Sequence, residues 1–340
     1  MPEGERTLEY TGGDWCGCAR LATLRTMRAP RFTLVAMTAV LLGCGGVDRA
    51  SDRGAARAAD EDALVVFNAG SLARPIRAAL DTFAAREGVR PEQESAGSLE
   101  TARKLTELGK IPDLIALADA EVFPGYLMPA QLDGYVEFAR NRMVIAYSDR
   151  SRFAQEMGPA TWWSVMLRAG VETGRSDPQL DPNGYRTLLV WQLAERFYGE
   201  PRLAQRLEAA SPARNMRPKE ADLIGLLQAG ELEYIWSYES SARAIGLRYV
   251  KLPPAIDLSA PDFAATYALA SVRVRGARAG DTVTFRGAPI VYAFGVPRDA
   301  PHPRTAARFA AFLVSDEGRA ILRREGLDAL DSVVMRGKAP

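Results

Sequence analysis

From Ala63 onward, short runs of consecutive apolar residues alternate with segments in which apolar residues recur every three or four positions. The first kind reads as buried strands and the second as helices that bury one face, so their alternation predicts an α/β sheet with crossover helices. Leu64-Val65-Val66-Phe67 is such a strand, and Leu72, Ile76, Ala79, Leu80 and Phe83 share one face of the helix behind it. Val89 to Glu94 predicts a weaker strand, and Leu99, Ala102, Leu105 and Leu108 a second helix stopped by Gly109. Asp113 to Ala118 is a third strand, and the extended stretch from Phe138 to Tyr147 is where the chain is expected to cross into a second lobe.

In that second lobe the pattern predicts a helix at Trp162-Trp163, one carrying Leu188, Leu189, Trp191, Leu193, Ala194 and Phe197, and one from Ala221 to Leu227. The twin tryptophans read as core filling, because Val165, Met166 and Leu167 continue the apolar run. Glu233 to Tyr238 and Leu247 to Leu252 read as strands, and Ser271–Val274 pairs with Thr282–Phe285 around the Gly276 to Gly280 turn. Pro289 to Val296 is apolar enough to be the strand that returns to the first lobe, before a closing helix from Thr305 to Ser315 and a shorter one around Ile321. The expected lobes are residues 62–140 with 289–332, and residues 141–288.

Four junctions carry candidate chemistry. Asn68-Ala69-Gly70-Ser71 and Ser95-Ala96-Gly97-Ser98 each run from a strand into a helix start, the place where open α/β sheets bind ligands. Asp181-Pro182 is a good N-cap followed by a residue suited to the first helical position. Tyr238, Glu239 and Ser240 stand at the turn after a strand. Taken singly, each of these residues is more simply a cap or turn residue; together they line up helix N-termini, whose N–H groups and dipole hold anions. The glycines form neither a dinucleotide fingerprint nor a P-loop, so a nucleotide cofactor has no support. Asp119 and Glu121 read as loop and helix-start acids.

The N-terminal stretch changes the composition. Met27-Arg28-Ala29-Pro30-Arg31 is a basic n-region, Phe32 to Leu42 an apolar h-region, and Leu41-Leu42-Gly43-Cys44 a lipobox whose cysteine would carry lipid. Residues 1–43 are therefore expected to be a leader and 44–61 a flexible tether, giving an exported, membrane-anchored protein. Glu3, Glu5, Glu9 and Asp14 fit no signal peptide, so translation is expected to start at Met27. Without residues 1–43 the chain keeps 38 basic and 38 acidic residues and no formal charge, which gives no support to a general polyanion or nucleic-acid surface. Cys16 and Cys18 fall before that start, and Cys44 opens the tether as its lipid-bearing first residue, so the folded part is expected to have no disulfide, thiolate metal site or cysteine nucleophile. The only histidine, His302, lies in Pro301-His302-Pro303 and reads as a solvated turn residue, which leaves Ser71 and Ser98 without a base for hydrolysis.

With these junctions in place the chain resembles the substrate-binding proteins of ABC transporters, and among them the tungstate/molybdate-binding proteins of the WtpA/ModA family. The resemblance rests on Asn68-Ala69-Gly70-Ser71-Leu72, Gly97-Ser98, Lys104 to Lys110, Asn141 to Tyr147, Gly174-Arg175-Ser176-Asp177-Pro178, Asp181 to Arg186 and Pro289-Ile290-Val291-Tyr292. It implies a two-lobed periplasmic-binding-protein fold of type II, each lobe a mixed sheet with flanking helices, joined by crossing strands. It also implies that Ser71 and Ser98 donate hydrogen bonds to the oxyanion, that Asp181 is one carboxylate ligand to its metal centre, and that Glu239, with Tyr238 beside it, is the other. Ser237 occupies a place where that second acid could also stand. The implied partners are tungstate or molybdate and a permease with its ATPase; no cofactor, no nucleic acid and a monomer are expected. Sulfate or phosphate binding, or an exported sensor module, are the alternatives. Peptide mapping of the cellular precursor is expected to begin at Met27; recovery of residues 1–26 overturns that start.

Overall fold

The computed structural model describes residues 63–338. The expected leader, the lipobox cysteine Cys44 and the 44–61 tether lie outside the described residues.

The chain begins with β1 (Ala63–Ala69), β2 (Arg90–Ala96), β3 (Leu114–Leu117) and β4 (Gly134–Arg140). It continues through β5 (Met143–Tyr147), β6 (Thr173–Ser176), β7 (Met216–Arg217), β8 (Tyr234–Tyr238) and β9 (Arg248–Lys251). A hairpin of β10 (Ser271–Arg275) and β11 (Thr282–Arg286) follows, and β12 (Val291–Gly295) and β13 (Asp328–Gly337) close the chain. One mixed sheet has the order β13-β4-β12-β3-β1-β2 and the other β7-β6-β8-β5-β9, each with its own flanking helices. We call these the first and second lobe.

Local sequence explains the packing of each layer. In the helix Ala73–Glu87 the residues Ile76, Ala79, Leu80 and Phe83 are buried, and Phe83 meets Phe309 and Phe312 of the helix Pro303–Leu313 at ring distances of 5.2 and 5.6 Å. In the second lobe Trp236 on β8 receives Trp162 and Trp191 edge-on at 5.4 and 6.1 Å, so Trp162 does fill core. These rings supply area and orientation together, which fixes the helix Pro182–Tyr198 over β8.

The chain passes between lobes at Asn141-Arg142 and again just before β12. The two crossings touch where the Asn141 N–H donates to the Ile290 carbonyl at 3.4 Å, and beside them the Met143 N–H donates to the Asp257 carbonyl at 2.9 Å. A third connection is the β10–β11 hairpin, whose Phe285 lies between Tyr126 of the first lobe (6.4 Å) and Tyr185 of the second (4.5 Å). Thr106 Oγ1 donates to the Ala277 carbonyl at 3.0 Å, and Gln192 exchanges two hydrogen bonds with Ser271.

Two features depart from the sequence reading. β13 carries no clear alternation of apolar and polar residues; it is an edge strand paired along β4, with Arg336 also bonded to Glu137 at 2.8 Å. His302 is not a solvated turn residue. Its Nδ1 lies 2.9 Å from Asp113 Oδ2, its backbone N–H donates to Asp113 Oδ1, and Asp113 also accepts from the Val65 N–H. The buried carboxylate thereby ties the start of the helix Pro303–Leu313 to β1, a long-range pairing with no local signature.

One glycine seats the helix on which the site depends. A β-carbon at Gly184 would stand 2.4 Å from the Ser176 carbonyl oxygen and 2.6 Å from the Asp177 carbonyl carbon. Gly184→Ala therefore forces the helix Pro182–Tyr198 off the end of β6 and is expected to cost about 1–3 kcal/mol, read as a melting temperature lower by several degrees. An unchanged melting temperature refutes the tight seat.

Candidate functional site

The site starts from the turn after β6. The N–H groups of Leu180 and Asp181 donate to the Asp177 carbonyl, and Pro182 opens the next helix with Asp181 extended at its N-cap (φ −134°). The Asp181 carboxylate accepts from the Asn183 N–H at 3.3 Å, as a cap should. Its other oxygen accepts from the Glu220 N–H at 2.8 Å, at the start of the helix Glu220–Ala229. One side chain thus caps two helix starts. It is 5% exposed, and burial raises its carboxyl to about 6 despite these donors.

The second acid of the cluster is Glu220, which the sequence reading missed. Its Oε1 accepts from the Tyr238 N–H at 3.0 Å and from the Ser237 hydroxyl, and its Oε2 from the Ser241 hydroxyl at 3.0 Å. Burial, reinforced by the charge of Asp181, raises Glu220 to about 7. The only local signal was an acid in the first turn of an apolar helix, which is also what an ordinary surface helix shows.

Glu239, expected beside Asp181, is placed elsewhere. Its carboxylate lies 2.9 Å from Arg142 Nε and 2.9 Å from Lys251 Nζ, accepts from the Tyr249 hydroxyl, and lines a different cavity with Arg243. The reason is the change of element: strand alternation would put Ser237 and Glu239 on one face, but β8 gives way to the helix Glu239–Ala244, so Ser237 faces Glu220 while Glu239 turns toward β9. Burial opposes its charge, yet Lys251 and Arg142 hold its carboxyl below the usual range.

From the first lobe, the 3₁₀ turn Gly70–Leu72 brings Ser71 to the carboxyl end of β1, and Ser98 opens the helix Ser98–Thr106 after β2. Ser98 is fully buried and its Oγ accepts from the Ala118 N–H at 3.0 Å. Ser71 Oγ accepts from the Tyr292 hydroxyl at 3.0 Å, and the Tyr238 ring stands edge-on to Tyr292 at 5.9 Å. Ser71 and Glu220 line a common cavity of about 120 Å³ with Ala221, Ser240 and Ser241. Of the expected residues, Ser71 reaches Tyr238 through Tyr292, Tyr238 reaches Ser98 through Arg186 and Ala118, and Asp181 is bonded to the Glu220 N–H, whereas Glu239 stands apart.

The lobes are closed on one another here. A β-carbon at Gly97 would be 2.3 Å from the Leu180 carbonyl oxygen, so what the glycine admits is the opposite lobe's backbone. That carbonyl accepts from the N–H groups of Leu99 and Glu100 at 3.0 and 3.2 Å, and Arg103 donates to the Gln179 carbonyl at 2.6 Å.

Arg186 is the other residue that sequence left unassigned. It is buried on the helix Pro182–Tyr198, pairs with Asp119 of the first lobe at 2.9 Å, and donates to the Ala118 carbonyl at 2.7 Å and to the Tyr238 hydroxyl at 2.9 Å. Burial works against its charge, but Asp119 and the tyrosines outweigh it and hold the guanidinium protonated. Asp119, read as a loop acid, also accepts from Tyr185 and so joins the lobes. Among the described residues no group of three or more His, Cys, Asp or Glu could hold a metal ion. The arrangement offers hydroxyl groups from both lobes and two buried acids from one, enclosed by interlobe contacts.

Comparison with known proteins agrees with this geometry. The sequence profile of the family described as bacterial extracellular solute-binding protein matches residues 64–328. A solute-binding protein of Petrotoga mobilis is 41% identical over 269 residues, covering 79% of this chain and 84% of that protein. The molybdate/tungstate-binding protein WtpA of Pyrococcus abyssi is 33% identical over 338 residues, covering 91% and 95%. Among solved structures, the periplasmic molybdate-binding protein of Azotobacter vinelandii superposes with a TM-score of 0.53 at 15% identity, covering 78% of this chain and 98% of that one. The sulfate-binding protein SubI of Mycobacterium tuberculosis gives 0.56 at 15%, covering 79% and 87%. These two share the type II fold of two mixed sheets. The chain belongs to the bacterial extracellular solute-binding proteins, the binding components of ABC transporters.

Proposed function

We propose that this protein captures tungstate or molybdate between its lobes and delivers it to an ABC permease. The observation that carries the reading is the pair of buried acids, Asp181 and Glu220, with Ser71 on the same cavity as Glu220 and Tyr238 bonded through its N–H to the Glu220 carboxylate. A carboxylate next to a dianion is repelled by several kcal/mol at low effective dielectric unless something offsets it. Tungsten(VI) and molybdenum(VI) can expand from four to six ligands, so both carboxylates can bond the metal centre directly; sulfur and phosphorus cannot. The same acids then attract tungstate and molybdate and repel sulfate. The names of the WtpA relatives from Pyrococcus abyssi and Thermococcus kodakarensis, each 33% identical, support the ligand class.

In this reading the lobes swing about the two crossings and close on the anion, and the closed form docks on the permease. Cys44 carries the lipid anchor, the protein acts as a monomer, and no cofactor or turnover is involved. N-terminal mass spectrometry reads the lipid directly. One observation favours a second reading: acids raised to about 6 and 7 hold protons near neutrality, and a protonated acid could donate to hydrogenphosphate.

Calorimetry on residues 62–340 separates the two. Tungstate and molybdate are expected to bind tightly, and Asp181→Asn or Glu220→Gln to weaken each by about a hundredfold or more, while Glu239→Gln stays within about threefold. Equally tight sulfate or phosphate binding overturns the assignment.

The pH dependence follows from the two acids. Their unfolded values of 3.8 and 4.5 rise to about 6 and 7 in the fold, so the folded chain holds these protons more tightly than the unfolded one. The stability from this source is complete below the unfolded values and is lost as pH rises through 6 to 7. The ligand-free melting temperature should therefore fall between pH 5 and pH 8, and the Asp181→Asn, Glu220→Gln double variant should flatten that slope. Coordination needs both carboxylates ionised, so tungstate binding near pH 6 should release about one proton, measured as a buffer-dependent binding enthalpy. No proton release is the outcome that favours hydrogenphosphate-type binding.

A further inference from the structure

The hydroxyls of the site do not rotate freely, because each is already occupied from behind by a donor that cannot reverse. The longest such chain begins at the crossing between the lobes. The Asn141 side-chain oxygen accepts from two backbone groups, the N–H of Arg142 at 2.9 Å and that of Ser240 at 3.3 Å. A backbone N–H can only donate, so the amide is held one way round and its NH₂ points at the Tyr292 hydroxyl, 2.9 Å away, and at Ser240 Oγ, 2.6 Å away. Tyr292 is fully buried and has one hydrogen to place. Its oxygen already accepts from Asn141, and its remaining partner is Ser71 Oγ at 3.0 Å. Leaving a buried hydroxyl hydrogen without an acceptor costs about 1–3 kcal/mol, so Tyr292 donates to Ser71. Ser71 then has its own hydrogen left to present to the cleft.

The other hydroxyls obey the same rule. Ser98 Oγ accepts from the Ala118 N–H at 3.0 Å, and the Tyr238 hydroxyl accepts from the Arg186 guanidinium at 2.9 Å. Neither a backbone N–H nor a guanidinium has a lone pair with which to accept in return.

We propose that Tyr292, set by Asn141, is a positioning residue that commits the Ser71 hydroxyl to donate, so that Ser71, like Ser98 and Tyr238, meets the ligand with hydrogen only and the lone pairs of the site are left to Asp181 and Glu220. At these three hydroxyls an oxyanion oxygen without a proton fits, and one that brings its own hydrogen meets another hydrogen instead of a lone pair. This rests on the proposed oxyanion reading of the same cleft and adds to it how the Ser71 hydroxyl is oriented toward the ligand.

The test is a double-mutant cycle on tungstate affinity at pH 8. Tyr292→Phe keeps the ring that packs on Tyr238 but removes the hydroxyl that orients Ser71. It is expected to weaken tungstate binding by about tenfold in the otherwise native protein and by the same factor in a Ser98→Ala background, but by less than about twofold in a Ser71→Ala background. A role confined to packing costs the same in every background, and that result overturns the proposal, as does no loss in any background. If Ser71→Ala alone leaves tungstate binding unchanged, it is the placement of the ligand at Ser71 that fails. If Tyr292→Phe does not yield folded protein, Asn141→Ala removes the donor behind Tyr292 and must show the same dependence on Ser71.

Discussion

The structure depends on keeping two carboxylates, Asp181 and Glu220, close together out of water. Burial makes their charges costly, and each is met by donors it cannot lose without unseating a helix: Asp181 by the N–H groups of Asn183 and Glu220, Glu220 by the Tyr238 N–H and the hydroxyls of Ser237 and Ser241. The elements carrying those donors, two helix starts and the end of β8, are thereby fixed around one point. The cost left over appears as raised carboxyl pKa values, because burial outweighs the backbone and hydroxyl donors that meet the two carboxylates.

Closure of the lobes uses a different currency. The Leu180 carbonyl takes the first N–H groups of the helix Ser98–Thr106, groups that no helix can satisfy internally. Asp119 and Arg186 form a buried pair across the lobes, and the partners Tyr185, Tyr238 and the Ala118 carbonyl complete their hydrogen bonding. A buried pair of this kind contributes little net stability but is costly to break on one side, so it favours one relative placement of the lobes over neighbouring ones. The β10–β11 hairpin adds an apolar contact through Phe285 that spans the same gap. Specific polar contacts therefore set the register of closure, and the stacked rings supply area.

Glu239 shows how a one-sided view of a turn misleads. It stands next to Tyr238, in a segment that does approach the cleft, and it is acidic. Two cations on the far side, Arg142 and Lys251, claim it, while the acid that reaches Asp181 comes from a helix start eighteen positions earlier than Tyr238.

The sequence by itself determined the alternation of strands and helices, the two-lobed fold, the N-cap at Asp181 and the gathering of Ser71, Ser98 and Tyr238 at strand ends. Each is a consequence of local periodicity or of residues that act within one turn of their own backbone. Only the tertiary structure decided which acid partners Asp181, that Arg186 and Asp119 meet across the cleft, and that His302 closes on Asp113. Those pairings join residues between 39 and 189 positions apart, and a charged side chain looks the same in sequence whether it faces solvent or a partner. The weakly patterned β13 was hidden for a related reason, since an edge strand is selected by the main-chain bonds its neighbour offers and not by its own side chains.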